Sequence, residues 1–220
     1  MQKFTASLNI RLGMVAGIAV AFLSIVYAIA LGIGLLTLPS PDQPIQNPWF
    51  TVMEVLILLI APAMVVFTVG LHSWAQADRK SLSLLSVIFT SMFALVTSCV
   101  HFAVLTLSRE PTFKEDTWST LVFAFQWPSV VYAMDILAWD IFFPLAALCA
   151  AGAVHGVGLA GLARNLLFGS AALAFVGLAG IPMGNMNIRN IGIIGYVVLF
   201  PIATVMLAVV FKREAARGAA

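Results

Sequence analysis

Six continuous apolar runs, at about 12–37, 49–74, 82–107, 128–153, 165–184 and 191–211, organise the chain, and every charged residue except Glu54, Asp135 and Asp140 lies between or beyond them. Each run comes near or exceeds the roughly 20 residues that an α-helix needs to cross about 30 Å of hydrocarbon. None shows the two-residue alternation of a spanning barrel strand, so the pattern predicts helices. The expected fold is all-α, a polytopic membrane helix bundle of six transmembrane helices forming a single domain over residues 1–220.

The links between runs differ in character. Pro39 to Pro48 is proline-rich and predicts a stiff, extended connection, after which Trp49 marks a membrane interface. The link from Ser108 to Trp127 begins charged, with Arg109, Glu110, Lys114, Glu115 and Asp116, then turns apolar over Thr117–Gln126. That switch predicts one interfacial helix before the fourth span, capped by Asp116 or Thr117, with Pro128 opening the fourth span at a first-turn position. Gly13 with Gly17, and Gly177 with Gly180 and Gly184, mark smooth helix sides where neighbours approach closely; ordinary packing within the bundle explains them better than a dimer motif.

Composition agrees with the pattern: 62% hydrophobic and 9% charged residues, with a mean hydropathy of +1.06, describe a chain in lipid. A soluble domain carries about 25% charged residues. The net charge of +2 comes from basic residues at span ends, which excludes a nucleic-acid surface and instead sets orientation. Lys3, Arg11, Arg79, Lys80, Arg164, Lys212, Arg213 and Arg217 fall on one side of a six-span arrangement, against Arg109, Lys114 and Arg189 on the other. The excess places the N and C termini in the cytoplasm, and the short loops suggest a bacterial inner membrane. Lys3 and Arg11 ahead of an apolar run resemble a secretory signal, but that run extends for about 26 residues without a small-x-small exit and reads as an uncleaved first span.

Against this apolar background the ionisable residues stand out, because a charge at membrane depth costs roughly 2.5–3.5 kcal/mol on insertion scales and requires a partner or water. At a rise of 1.5 Å per residue, Glu54, His101 and Asp135 fall about 8–10 Å below the outer boundary and Asp140 about 18 Å below it. Asn185, Asn187, Arg189 and Asn190 sit at that boundary in the link between the last two spans. Tyr132, Asp135 and Trp139 share one helical face, whereas Asp140 is rotated by about 140° from Asp135 in a regular α-helix. One of the two acids is therefore expected to turn away from a common pocket, with Arg189 or the backbone as its partner. Pro62, Pro144 and Pro201 free the carbonyls of Leu58, Asp140 and Val197, which adds acceptors near these side chains.

The candidate ligand-binding or proton-binding set is thus Glu54, His101, Asp135, Asp140, Tyr132, Trp139, Asn187 and Arg189. No metal site is expected: the three histidines form no paired motif, Met183 and Met186 lack a cysteine companion, and Cys99 and Cys149 lie in separate spans. The sequence specifies no cofactor. Three functions fit: binding or transport of a small hydrophobic or cationic ligand or a proton; carboxylate general-acid chemistry on a lipid-soluble, terpenoid-like substrate inside the membrane; or a non-catalytic subunit whose polar groups fasten helices. Membrane lipid is the expected surrounding, and a homo-oligomer or a membrane-complex partner is compatible with the third function.

Overall fold

The computed structural model describes residues 2–40, 43–107, 110–111 and 117–217, with side chains from Leu8 to Ala216 apart from Thr117. Expectations that rest on Asp42, Arg109, Lys114, Glu115 and Asp116, or on the side chains of Lys3, Thr117 and Arg217, lie outside what is described. The described residues form helices α1 (Gln2–Leu36), α2 (Trp49–Trp74), α3 (Lys80–Thr106), α4 (Thr117–Phe123), α5 (Val130–Ile136), α6 (Phe143–Ala153), α7 (Leu159–Leu178), α8 (Met186–Ile193) and α9 (Phe200–Arg217). A widened π segment, Leu137–Phe142, joins α5 to α6, and a second, Ile194–Leu199, joins α8 to α9. No strand occurs among the described residues.

Six stretches are long and apolar enough to cross a membrane: Leu8–Leu36, Trp49–Trp74, Ala77–Thr106, Val130–Ala153, Leu159–Leu178 and Met186–Ala216. Their outward faces carry large apolar side chains such as Phe22, Leu95 and Phe102, a surface suited to lipid and costly in water. The spans thus form an all-helical integral membrane bundle.

Close packing follows from small residues and interlocking rings. Gly13 of α1 lies so near Gly70 of α2 that a Cβ on either would meet the other's Cα below 3 Å. Gly17 faces Phe67 and the backbone of Thr204, so this glycine pair serves contacts within the bundle. Phe67, Phe143, Phe200 and Phe211 build the core, with Phe143 and Phe200 crossing edge to face at 5.1 Å between centroids. Basic residues at one end cap helices: Arg79 donates to the carbonyls of Gly152 and Val154 at 3.1 and 2.9 Å, and the Lys80 ammonium donates to the His72 carbonyl.

Both π segments run directly into the same dipeptide, Phe143-Pro144 and Phe200-Pro201. Proline offers no N–H to the carbonyl four residues back and its ring crowds that carbonyl, and a wider turn just before it relieves both problems. The Phe143 N–H accordingly reaches the Ala138 carbonyl, and the Phe200 N–H reaches that of Gly195, each five residues earlier. Neighbouring helices pin the same regions. The Ser170 hydroxyl donates to the Gly195 carbonyl at 2.8 Å, and the Ser86 hydroxyl to the Ala146 carbonyl at 3.0 Å.

Three boundaries depart from the sequence expectation. The fifth span occupies Leu159–Leu178 rather than 165–184, because Gly158 at φ +66° breaks the chain before it and Pro182 cannot bond the Leu178 carbonyl that would continue it. Gly184, at φ +61°, accordingly belongs to a turn and to no helix face. The sixth span begins at Met186, so Arg189 stands inside a helix instead of in a link. Pro128 does not open the fourth span: its helix starts at Val130, where the Ser129 hydroxyl accepts the Tyr132 N–H at 3.1 Å as a regular N-cap.

Candidate functional site

The capped start of α5 aims Tyr132 and Asp135 into the bundle, and the π segment that follows brings Asp140 round to join them. In a turn closed five residues apart, residues five apart come to nearly the same side, so the 140° separation of a regular α-helix does not apply here. Asp135 and Asp140 consequently share a single partner, Arg189. Its Nη2 donates to Asp135 Oδ2 at 2.7 Å and its Nε to Asp140 Oδ2 at 3.0 Å, while its Nη1 donates to the Tyr132 hydroxyl at 2.9 Å. Three nitrogens of the planar guanidinium fork are thereby used on three oxygens of the fourth span, a match that lysine's point charge would not make.

Two glycines let Arg189 stand there. A Cβ on Gly177 would lie 2.9 Å from the Arg189 carbonyl, and one on Gly180 would lie 2.8 Å from its amide nitrogen. The backbone of α8 rests directly on the end of α7. Asn185 starts α8 by accepting the Asn187 N–H at 3.0 Å, which explains this asparagine as a cap.

The second half of the polar chain joins α2 to α3. His101 Nδ1 stands 2.8 Å from Glu54 Oε2, and His101 Nε2 faces Asp135 Oδ1 at 3.5 Å. That second separation exceeds a hydrogen bond, and neither Nε2 nor Oδ1 has a hydrogen-bond partner among the described residues. Glu54, His101, Asp135, Asp140 and Arg189 are 2%, 3%, 4%, 0% and 6% exposed, so the sequence of contacts from Glu54 to Asp140 is almost entirely buried. Such burial makes each missing partner costly.

A cavity of about 330 Å³ borders this chain. It reaches from Gln43, Pro44 and Ile45 of the first link down to Phe143 and Phe200 beside the π segments, with α1 along one wall. Ile45 seats against Gly34 and so draws the link across the end of α1. Phe125, from the segment after α4, stands between His101 and Tyr132, with ring centroids 5.5 Å from each. The three tyrosines of the chain, Tyr27, Tyr132 and Tyr196, all line the cavity.

Of the residues singled out from sequence, Glu54, His101, Tyr132, Asp135, Trp139 and Arg189 line this cavity, and Asp140 stands behind it on Arg189. Asn187 is exposed and does not line it, because its place near the start of α8 leaves it facing outward while its amide serves the cap. Tyr27, Ser24, Phe125 and Tyr196 were not anticipated, although a phenol within an apolar run seeks a polar partner or a cavity and so carries a signal of its own. The chain matches no protein-family model, no curated protein and no solved structure.

Proposed function

We propose that this protein binds a small molecule with an apolar body and a polar head inside the cavity, for sensing or for transport. The supporting observation is the pairing of a largely apolar chamber of about 330 Å³ with the buried residues His101 and Asp135 on its wall, whose Nε2 and Oδ1 face each other at 3.5 Å without a hydrogen bond. Ligand sites combine mostly apolar lining with a few well-placed polar groups in this way, and span roughly 300–1,000 Å³. A subunit whose polar residues act only as fasteners would pair those atoms within the bundle and fill the chamber. The excess of basic residues at the Arg79, Arg164 and Arg213 end supports cytoplasmic termini, which turn the first link and the cavity mouth outward and lay α4 on the outer surface of a bacterial inner membrane.

The experiment is cysteine labelling in native membranes. Ser24 is buried and lines the cavity, so in a Cys99→Ala/Cys149→Ala background Ser24→Cys is expected to react with benzyl methanethiosulfonate. Ser170→Cys, buried away from the cavity, serves as the unreactive control. An unreactive Ser24→Cys means that no small molecule reaches the chamber, and the binding reading falls.

A second reading draws on one specific contact. Glu54 holds His101 Nδ1, so that His101 lines the cavity as a carboxylate-backed imidazole able to take or give a proton. On that reading the protein is an intramembrane enzyme on a lipid-soluble substrate. Its mark is a new product, seen by mass spectrometry after incubation with lipid extract and lost in His101→Gln.

A further inference from the structure

We propose that the cavity takes a single-chain lipid, which enters sideways from the bilayer between the first and sixth spans; the proposal rests on the cavity being a ligand site. The shape of the chamber is the first observation. Val20, Ser24, Tyr27, Leu31 and Leu35 line it at helical spacing, so it follows one face of α1 for roughly 20 Å at a rise of 1.5 Å per residue. The lining residues of α2 run from Phe50 to Met64, a similar length. About 330 Å³ drawn out in this way makes a slot for one extended chain, with no width for a second chain alongside. Its floor is apolar, built from Met64, Phe143 and Phe200, whereas its mouth carries the exposed amides of Gln43 and Asn190, which both give and accept hydrogen bonds. Between the two, the ionisable groups are engaged with one another, Glu54 with His101 and Arg189 with Tyr132, Asp135 and Asp140. The rings of Phe125, Trp139 and Tyr196 remain as surface for a tail.

The side opening is an independent observation. Successive spans pack against one another round the bundle, and the ring closes where α1 lies along α9. Nearer the first link, α1 barely meets the π segment Ile194–Leu199, so the first and sixth spans stand apart there. Leu35 is 54% exposed and yet lines the cavity, which marks where the slot runs out onto the helix surface. Leu31 and Leu35 edge this opening on one side, with Ile193 and Val197 on the other. Apolar edges facing hydrocarbon admit a chain without any desolvation, while a charged solute passing them loses its hydration. A chain that leaves the bilayer for the slot forfeits no hydrophobic energy and gains packing contacts that an empty slot lacks.

The test is photolabelling of the full-length protein in phosphatidylcholine liposomes, using hexadecan-1-ol with a diazirine near its methyl end and mass spectrometry of the labelled peptides. Adducts are expected at Met64, Phe143 and Phe200 on the floor. Excess hexadecan-1-ol is expected to reduce them about tenfold or more, while equal excesses of hexan-1-ol and dioleoylglycerol leave them within about twofold. Adducts at Phe22 and Leu95, on the outward faces, should resist all three competitors. An unlabelled floor overturns the proposal, as does equal displacement by the short or the two-chain competitor. Leu31→Trp with Val197→Trp fills the side opening and is expected to lower floor labelling about tenfold. Undiminished labelling in that folded variant overturns sideways entry, and the competition series on the unaltered protein stays decisive where the variant fails to fold. Ser24→Cys separates the two failures: a reactive cysteine with an unlabelled floor leaves the cavity reading standing, and an unreactive one with an unlabelled floor removes both.

Discussion

Arg189 Nε stands 3.0 Å from Asp140 Oδ2, and this bond ties the first turns of the sixth span to the widened turn of the fourth. The same guanidinium also holds Asp135, so two buried acids on one helix share one cation. Removing it exposes both to the interior at once.

Arg189→Met is therefore expected to cost more stability than Asp140→Asn, on the order of 3–5 kcal/mol, the loss typical of a buried pair stripped of one partner. Arg189→Lys falls between them, because an ammonium cannot span the three oxygens that the fork reaches. Thermal unfolding of the purified variants in detergent gives the order; an Arg189→Met protein as stable as the unaltered one contradicts this account of the cluster.

The widened turn makes a prediction about length. Removing Leu137 leaves Asp135 and Asp140 four residues apart, which in a regular α-helix is one face. The deletion is expected to yield a folded, monodisperse protein. Deleting Ala147, in the α-helical stretch that follows, swings the residues beyond it by about 100° and is expected to abolish folding. Size-exclusion profiles of the two proteins decide the matter, and equal loss in both counts against the π segment as the source of the alignment.

Acid sensitivity is expected at the opposite end of the bundle. His155, in the link between α6 and α7, stacks on Trp74 with centroids 3.9 Å apart, and its pKa lies below the usual 6.5 chiefly through burial, with Arg79 adding to the effect and Glu214 and Asp78 opposing it. A group that is harder to protonate when folded contributes stability above the unfolded-state pKa, and that contribution is lost as pH falls through the folded value. The unaltered protein is thus expected to lose stability below about pH 6.5. His155→Gln should retain more of its pH 7 melting temperature at pH 5 than the unaltered protein does, and parallel pH profiles would remove His155 from the explanation.

Hydropathy made the spans legible because lipid demands an unbroken apolar run, and Trp49–Trp74 coincides with the expected second span. It could not place the fifth, since Leu159–Arg164 and Ala179–Gly184 are both largely apolar or small; Gly158 and Pro182 decide there through backbone geometry. The depths of Glu54, His101 and Asp135 rest on helix direction, and these three come together in space. Asp140 is the acid that turns away from the cavity onto Arg189, as expected, although the rotation assigned to it assumed a uniform α-helix. The dipeptide Phe143-Pro144, repeated as Phe200-Pro201, was the visible sign that the assumption fails at two places. Arg189 looked peripheral because Asn185, which starts its helix, resembles a loop residue until its capping bond is seen.

The gap between His101 Nε2 and Asp135 Oδ1 has a mechanical side. It lies where the pair of helices joined by Glu54 meets the pair joined by Arg189, and no hydrogen bond bridges it. Electrical state and interhelical distance are consequently one coordinate at this seam: charge added to either bank draws the banks together or drives them apart, and widening the seam alters the field that each bank feels.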